Sequence, residues 1–230
     1  MTYNPPKSFV WSYSKIKNNE TCGKRHLNID ILKKFSEGPN PDLSWGEKVH
    51  NALAKRIGSG TPLPEGMGNY EEWALRVLEG DNVKIFTELK FGITEDFNPC
   101  GFFDKKVWYR GIADVLKFRE QVGLVIDWKT GKIKEDGIQL ALMAVCVFIH
   151  YPQIQKIRSE FVWLNEGPNI TSREDFSRED IPKIWAAVLP RVNQLKDAYA
   201  RGFFPPNPGG LCRNYCPVKD CEYYQKGNRR

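Results

Sequence analysis

The sequence predicts an α/β domain in which helices flank a central mixed, mainly antiparallel sheet. Three observations lead to this fold class. Apolar residues recur at helical spacing between residues 44 and 80, alternate at strand spacing between 83 and 129, and return to helical spacing after residue 177. The 230 residues are enough to bury a substantial core. We therefore expect a single domain over residues 1–230.

Two helices are predicted before the strands. Ser44, followed three residues later by Glu47, has the pattern of a capping box and predicts a helix from there to about Ile57. Apolar residues recur at i, i+3, i+4 and i+7 along it, and His50 lies on this apolar face. An asparagine at the start and a glycine at the end predict a shorter helix over 69–80.

Strands are predicted next, because apolar residues now recur at every second position. Helices are predicted over 136–152 and from about Ser177 to Arg201, the second of them kinked at Pro190. The segments with strand character are 83–91, about 107–118, 122–129 and 157–164.

A short connection joins the second and third predicted strands, and it sets a register across the hairpin. If the turn centres between residues 120 and 121, Asp114 faces Asp127. Two facing carboxylates repel one another unless something neutralises them, and a divalent cation such as Mg²⁺ or Mn²⁺ does so. Lys129 lies on the same strand face as Asp127 and suits the stabilisation of negative charge on a phosphate. The alternative is an ordinary hairpin whose charges reach solvent.

Five segments in this order resemble the RecB-like branch of the PD-(D/E)xK nuclease superfamily. The resemblance implies a restriction-endonuclease-like core. In one position the sequence departs from the family pattern, since Met143 stands where tyrosine is usual. The matching segments are GEKVH (46–50), TELKF (87–91), GIADVL (111–116), VIDWKTGK (125–132) and QLALM (139–143).

The resemblance also implies the site residues. Lys129 matches the catalytic lysine, Gln139 lies at a helix start beside the site, and Glu88 matches a first-strand glutamate that supports the metal. The catalytic residues are thus expected to be Lys129, Asp127, Asp114, Gln139 and Glu88, and the metal ligands His50, Asp114, Asp127 and the backbone carbonyl of Trp128.

Four of the six cysteines lie towards the two ends of the chain. Cys212, Cys216 and Cys221 lie in a Pro/Gly-rich tail that has little else to order it, and Cys22 lies near the start. Four thiolates suit a structural Zn²⁺ or a four-iron four-sulfur (4Fe-4S) cluster. The layout resembles that of CRISPR-associated RecB-like and AddB-type iron–sulfur exonucleases. It implies a 4Fe-4S cluster in which Cys22 and residues 205–224 join the N- and C-terminal segments, with zinc as the alternative.

The function implied is that of a Mg²⁺- or Mn²⁺-dependent DNA exonuclease acting on single strands or DNA ends. Recombination or repair, phage DNA metabolism and CRISPR adaptation are the settings considered. The net charge of +6 permits an anionic partner. The absence of a nucleotide-binding P-loop motif means that a helicase or recombination protein would act in trans. Five aromatic residues in segments near the site are candidates for stacking on unpaired bases, although core or loop packing is the expected role of most of them: Trp45, Phe102, Phe103, Trp108 and Tyr109.

Two other functions remain open from the sequence. One is a structure-specific or restriction-type endonuclease, and the other is a nucleic-acid-binding module without activity. The N-terminal residues lack a signal-peptide pattern, and the longest apolar run, 140–149, is too short for a membrane span. We therefore expect a cytoplasmic protein in a reducing compartment that has no membrane partner.

Overall fold

The computed structural model describes residues 3–38, 41–134, 136–167 and 170–226. It consists of two compact units. The larger unit comprises residues 41–187, and the smaller unit combines residues 1–40 with residues 188–230.

A mixed sheet forms the centre of the larger unit. Its described strands number six and are arranged in the order β2-β1-β3-β4-β5-β6. Neighbours are antiparallel except β4 and β5, which are parallel and are connected through a helix. The strands are β1 (Lys84–Thr94), β2 (Pro99–Cys100), β3 (Val107–Arg119), β4 (Val122–Lys129), β5 (Lys156–Trp163) and β6 (Thr171–Ser177). This arrangement confirms the predicted fold class.

Helices cover both faces of this sheet. The helices are α3 (Pro41–Ser59), α4 (Glu71–Leu78), α5 (Gly137–His150) and the first part of α6 (Ile181–Arg201). Helices α3 and α4 pack on one face through a core that includes Leu53, Trp73 and Trp128. Helix α5 packs on the other face, where Phe91 lies edge-on to His150 with ring centroids 5.1 Å apart. Its residues 140–148 are all buried, as a helix between core layers requires.

Several boundaries differ from the sequence predictions. Helix α3 begins at Pro41, so the predicted capping box at Ser44 is wrong. Proline fits the first turn of a helix because its fixed φ is helical and its missing N–H would have no partner there. Ser177 does form a capping box, with Asp180, ahead of α6. Strand β6 was not predicted, because its sequence TSREDFS is mostly polar.

The smaller unit contains short helices and the cysteine-rich tail. Its elements are α1 (Tyr13–Thr21), α2 (Gly23–His26), a π-helical turn (Leu27–Ile31), the end of α6 and α7 (Leu211–Asn214). Fully buried His26 contacts Asp30 Oδ2 at 2.6 Å and the Tyr199 hydroxyl at 3.0 Å. A bidentate ion pair joins Arg191 to Glu20 at 2.6 and 2.8 Å. These contacts hold the N-terminal segment against the end of α6 within this unit.

The helices among the described residues include none with the length and apolar character needed to cross a membrane.

Candidate active site

The site lies where strands β3 and β4 separate. Their paired register ends at Val115↔Ile126, while β3 continues to pair with β1 alone. This register centres the turn between residues 120 and 121, as the sequence predicted, and its next step would pair Asp114 with Asp127. In the fork, Asp114 Oδ2 accepts a hydrogen bond from the Trp128 backbone N–H at 2.7 Å. This bond anchors the Asp114 side chain to β4.

Three potential metal ligands converge on one side of this fork. One donor atom each from His50, Glu88 and Asp114 lies within 4.8 Å of the others. His50 Nδ1 is 3.3 Å from Asp114 Oδ1. His50 is held in place because the preceding residue, Val49, is fully buried and anchors this turn of α3. The cluster contains Glu88, which only the resemblance to the nuclease family predicted as a site residue.

Glu88 has an unusual backbone conformation. Its φ is +49°, in the left-handed region, although it lies within strand β1. Its neighbours keep the ladder, since Thr87 pairs with Val115 and Leu89 with Ala113. A left-handed residue other than glycine costs about 1–3 kcal/mol and persists only where the surroundings determine it. The strain is localised at the strand position that faces Asp114.

A second group surrounds the other carboxylate. Asp127 Oδ2 is 2.5 Å from Lys129 Nζ, and its Oδ1 accepts a hydrogen bond from Gln139 Nε2 at 3.0 Å. Gln139 Oε1 accepts a hydrogen bond from Lys129 Nζ at 3.4 Å, so the side chains of Asp127, Lys129 and Gln139 contact one another. The Lys129 ammonium also lies over the Phe161 ring, 4.7 Å from its centroid. Strand β4 supplies the charged pair and the first turn of α5 supplies the amide that orients it.

The ionisation of these groups reflects their crowding. Burial raises the pKa of Asp127 to about 6 against the lowering influence of Lys129, and repulsion from Asp114 adds to the rise. Burial and then the charge of Asp114 raise the pKa of Glu88. Burial acts to lower the pKa of His50, but its hydrogen bond to Asp114 and the surrounding carboxylates raise it overall. The carboxylates at this site therefore repel one another unless protons or a cation are shared among them.

This donor set fits a divalent cation. Carboxylate oxygens suit Mg²⁺ and Mn²⁺, and the imidazole nitrogen of His50 shifts the preference towards a transition metal such as Mn²⁺. A cleft of about 460 Å³ opens beside the cluster and gives a substrate access to it. Its lining includes Leu43, Gly46, His50, Glu88 and Thr130.

The second predicted site lies in the smaller unit. The Cys22 thiol accepts a hydrogen bond from the Asn207 N–H and the Cys212 thiol one from the Gly209 N–H, both at 3.4 Å. Burial raises the pKa of Cys216, and the neighbouring Cys212 and Cys22 act in the same direction. Cys22 and Cys212 therefore lie near enough to Cys216 to influence it, but the only group of potential metal ligands within 4.8 Å of one another among the described residues is the one in the larger unit. The Cys221 N–H donates to the Val218 carbonyl at 3.1 Å.

One residue at the site was not predicted, and some of the predicted candidates lie away from the site. Phe161 lies under Lys129 only because β5 pairs in parallel with β4, a long-range contact without a local sequence signal. Among the aromatic candidates, Trp108 and Tyr109 are buried, which agrees with the alternative that they pack in the core and do not stack on bases. Trp45 and Phe103 are exposed, the latter by 77%. Cys146 and Cys100 lie outside the cysteine group; Cys146 is in the α5 core.

Comparison with solved structures shows the fold at low sequence identity. A crystal structure described as "Putative exonuclease" from Eubacterium rectale aligns with a TM-score of 0.55 at 11% identity, covering 96% of this chain and 90% of that one. SSO0001 aligns at 0.41 and 16% identity, with 96% and 90% coverage. LHK-Exo in complex with dAMP aligns at 0.40 and 13% identity, with 83% and 89% coverage. A search of curated proteins gave no significant match.

The sequence profile of one family matches residues 64–221. The match covers more than half of the chain, and it includes the strands that carry Glu88, Asp114 and Asp127 and the helix that carries Gln139. Together with the fork of strands and its carboxylate–lysine arrangement, this assigns the family that the sequence resembled. The chain belongs to the PD-(D/E)XK nuclease superfamily.

Proposed function

We propose that this protein is a metal-dependent DNA exonuclease that hydrolyses phosphodiester bonds of single strands or DNA ends. The observation that carries the proposal is the convergence of His50, Glu88 and Asp114 within 4.8 Å beside the Lys129–Asp127 pair. The description of the Eubacterium rectale neighbour as an exonuclease agrees with this activity.

The proposed roles combine these contacts with the ligand set that the family resemblance implies. A bound Mg²⁺ or Mn²⁺ would be held by His50, Asp114, Asp127 and the Trp128 carbonyl, and Glu88 would support this set. When bound, the cation supplies Lewis-acid polarisation of the phosphate and neutralises its charge. Lys129 presents its ammonium to the negative charge on the non-bridging phosphate oxygens during in-line attack of water on phosphorus. Asp127 and Gln139 position that ammonium, and the Phe161 ring limits its movement.

The activity is tested with linear and circular single-stranded DNA of the same sequence, in the presence of Mn²⁺. An exonuclease degrades only the linear form, whereas an endonuclease converts the circle to fragments. Binding without degradation of either form, with any divalent metal, would leave an inactive nucleic-acid-binding module as the function. Separate labels at the 5′ end and at the 3′ end then report the direction of digestion.

We also propose that Cys22, Cys212, Cys216 and Cys221 bind a 4Fe-4S cluster. The N–H groups directed at the sulfurs of Cys22 and Cys212 support bound thiolates, since such hydrogen bonds tune iron–sulfur clusters. The influence of Cys22 and Cys212 on the pKa of Cys216 supports the grouping of cysteines from both ends of the chain. Four thiolates also suit a structural Zn²⁺, which is the alternative occupant of the same residues.

The cofactor is tested on protein purified without oxygen. Four iron and four acid-labile sulfide per chain, with broad visible absorbance that is lost in Cys216→Ser, support the cluster. Stoichiometric zinc in colourless protein would replace it with the structural-metal alternative. A partner protein acting in trans, and the setting in repair, recombination, phage DNA metabolism or CRISPR adaptation, are proposals that follow only if the nuclease activity is found.

A further inference from the structure

Strands β1 and β3 continue beyond the site, and there they carry an uncovered strip. Ile112 and Arg110 lie on the side of β3 opposite Gly111, whose added Cβ would meet the Cys146 sulfur of α5. On β1, Lys90 pairs with Ile112 and lies on the side opposite Phe91, whose ring meets His150 of α5. The opposite side of these strands is covered by α5. Ile112 is 45% exposed and Lys90 is also exposed, so this strip is open to solvent.

Aromatic rings and cations meet at the far end of the strip. The Arg110 guanidinium lies over both the Phe102 and Phe103 rings, at 5.2 and 5.5 Å from their centroids. Lys90 Nζ lies 5.8 Å from the Phe102 centroid. The two rings meet edge to face at 5.0 Å, and Phe103 is 77% exposed. Phe102 is therefore fixed between cations, while the Phe103 ring presents a face to solvent.

The positions of the rings depend on Gly92. Its strand position is opposite Arg110, and an added Cβ would lie 2.5 Å from the Gly101 carbonyl oxygen. Only glycine lets the backbone of residues 100–101 lie this close to β1. The close approach holds the following residues, Phe102 and Phe103, against the strip. The fold therefore determines where Phe102 and Phe103 lie in the strip.

We propose that this strip, comprising Lys90, Ile112, Arg110, Phe102 and Phe103, binds the unpaired DNA strand next to the bond that is cut. The inference rests on the proposed function of the active site. Exposed aromatic rings beside cations are the chemistry that binds single strands without reading sequence, by stacking on bases and neutralising phosphates. Lys105 and Lys106, both exposed in the same connection, add to the positive charge.

The distance along the strip sets the length of DNA involved. Arg110 is four residues from Asp114 on β3, which is about 14 Å at the usual strand rise. A strand stacked as in DNA advances about 3.4 Å per nucleotide, and an extended one advances further. The rings therefore contact a base no more than about four nucleotides from the scissile phosphate. One base in that range stacks on Phe103, and Lys90 and Arg110 contact the phosphates between.

The test measures binding of a fluorescent 12-nucleotide thymidine strand, both in EDTA and with Mn²⁺ on a Lys129→Ala background, where the strand stays intact. Phe103→Ala weakens binding about 5-fold or more, the effect of removing one base–aromatic stack. Phe103→Trp retains binding, and Phe103→Leu does not restore it. Phe203→Ala, which also removes an exposed ring, serves as the matched control and leaves binding unchanged.

Two further measurements separate the roles of ring and charge. Arg110→Gln and Lys90→Gln each reduce the slope of log affinity against log salt by about 0.7 for each phosphate that is no longer neutralised, whereas Phe103→Ala leaves that slope unchanged. In cleavage by otherwise native protein with Mn²⁺, one abasic position within four nucleotides of the cut raises KM. In Phe103→Ala the same abasic position has no further effect.

The outcomes distinguish this inference from the proposed function. If the native protein cuts linear DNA but Phe103→Ala binds equally well and abasic positions have no effect, the strand follows another surface and the inference is overturned. If the native protein neither binds nor cuts single-stranded DNA, the proposed function fails and this inference fails with it. Thermal unfolding of Phe103→Ala confirms folding, since a ring that is 77% exposed adds little buried area.

Discussion

Asp114 Oδ2 accepts a hydrogen bond at 2.7 Å from the backbone N–H of Trp128, across the gap where strands β3 and β4 no longer pair. The other oxygen of the same carboxylate faces His50. One side chain thus ties β4 to β3 and also contributes to the candidate metal site. These two functions can be separated by substitution.

Asp114→Asn and Asp114→Ala should differ in stability but agree in activity. Asparagine keeps an oxygen for the Trp128 N–H, so the unfolding free energy should change little. Alanine leaves that buried N–H without its partner and should cost about 1–3 kcal/mol. Both remove a charged metal ligand and should reduce cleavage more than about 100-fold. Urea unfolding and initial cleavage rates measure the two effects, and an active Asp114→Asn would contradict the ligand role.

His50→Ala should weaken Mn²⁺ more than Mg²⁺. The imidazole is the one nitrogen ligand proposed, and nitrogen ligands favour transition metals, whereas the carboxylates that remain suit both ions. The Mn²⁺ dissociation constant should rise about 10- to 100-fold. Isothermal titration with each ion measures it, and His150→Asn, which alters a histidine on α5 that contacts the Gly92 carbonyl, is the control. Equal weakening for both ions would show that His50 acts only through the fold.

The stability of the smaller unit should depend on pH through His26. Burial is the main cause that lowers the pKa of His26, while Asp30 acts against it. The unfolded chain therefore takes up a proton before the folded one does. The contribution of His26 to the free energy of unfolding is fully present above the ordinary histidine pKa of about 6.5. It is lost as the pH falls from there towards the pKa of His26 in the folded protein.

The measurement is urea unfolding of native protein and His26→Asn between pH 5 and 8. The native protein should lose at most about 1.4 kcal/mol per pH unit more than the variant over the acidic part of this range. Absolute stabilities will differ because the Tyr199 hydroxyl no longer meets an imidazole in the variant, so the slopes are compared. Parallel slopes for the two proteins would exclude His26 as the titrating group.

Gly92→Ala should destabilise the larger unit. The new Cβ would meet backbone atoms of residues 100–101 at 2.5–2.9 Å, and backbone cannot yield as a flexible side chain does. Overpacking of this kind costs about 1–3 kcal/mol. Gly101→Ala is the matched control, because its Cβ would meet nothing closer than 4.0 Å. Thermal unfolding compares the two, and a Gly92→Ala protein as stable as the control would show that the connection can shift freely.

The elements that local sequence determines were predicted closely. Strand β4 spans 122–129 as expected, and β3 ends one residue later than predicted, because alternation and a short connection define a hairpin locally. The register that brings Asp114 to Asp127 followed from the same hairpin. The start of α3 was misplaced because the capping pattern at Ser44 competed with Pro41, which fits a first turn equally well.

Features that depend on contacts between distant segments of the chain were not predicted. Strand β6 is polar, and it becomes a strand only by pairing with β5 at the sheet edge. The left-handed backbone of Glu88 has no sequence signal, since glutamate has no preference for that region. The position of Phe161 under Lys129 depends on a parallel pairing that requires the whole β4–α5–β5 connection. The two aspartates and the lysine were predicted as site residues because charged side chains are unusual in a buried strand.

The most direct test of the central claim is degradation of end-labelled single-stranded DNA with Mn²⁺ by native protein, Lys129→Ala and Asp127→Ala. Lys132→Ala, which changes an exposed lysine in the loop after β4, is the control. We predict metal-dependent loss of the substrate by the native and control proteins and none by the two site variants. Degradation that survives both Lys129→Ala and Asp127→Ala would contradict the assignment of the active site to this fork of strands.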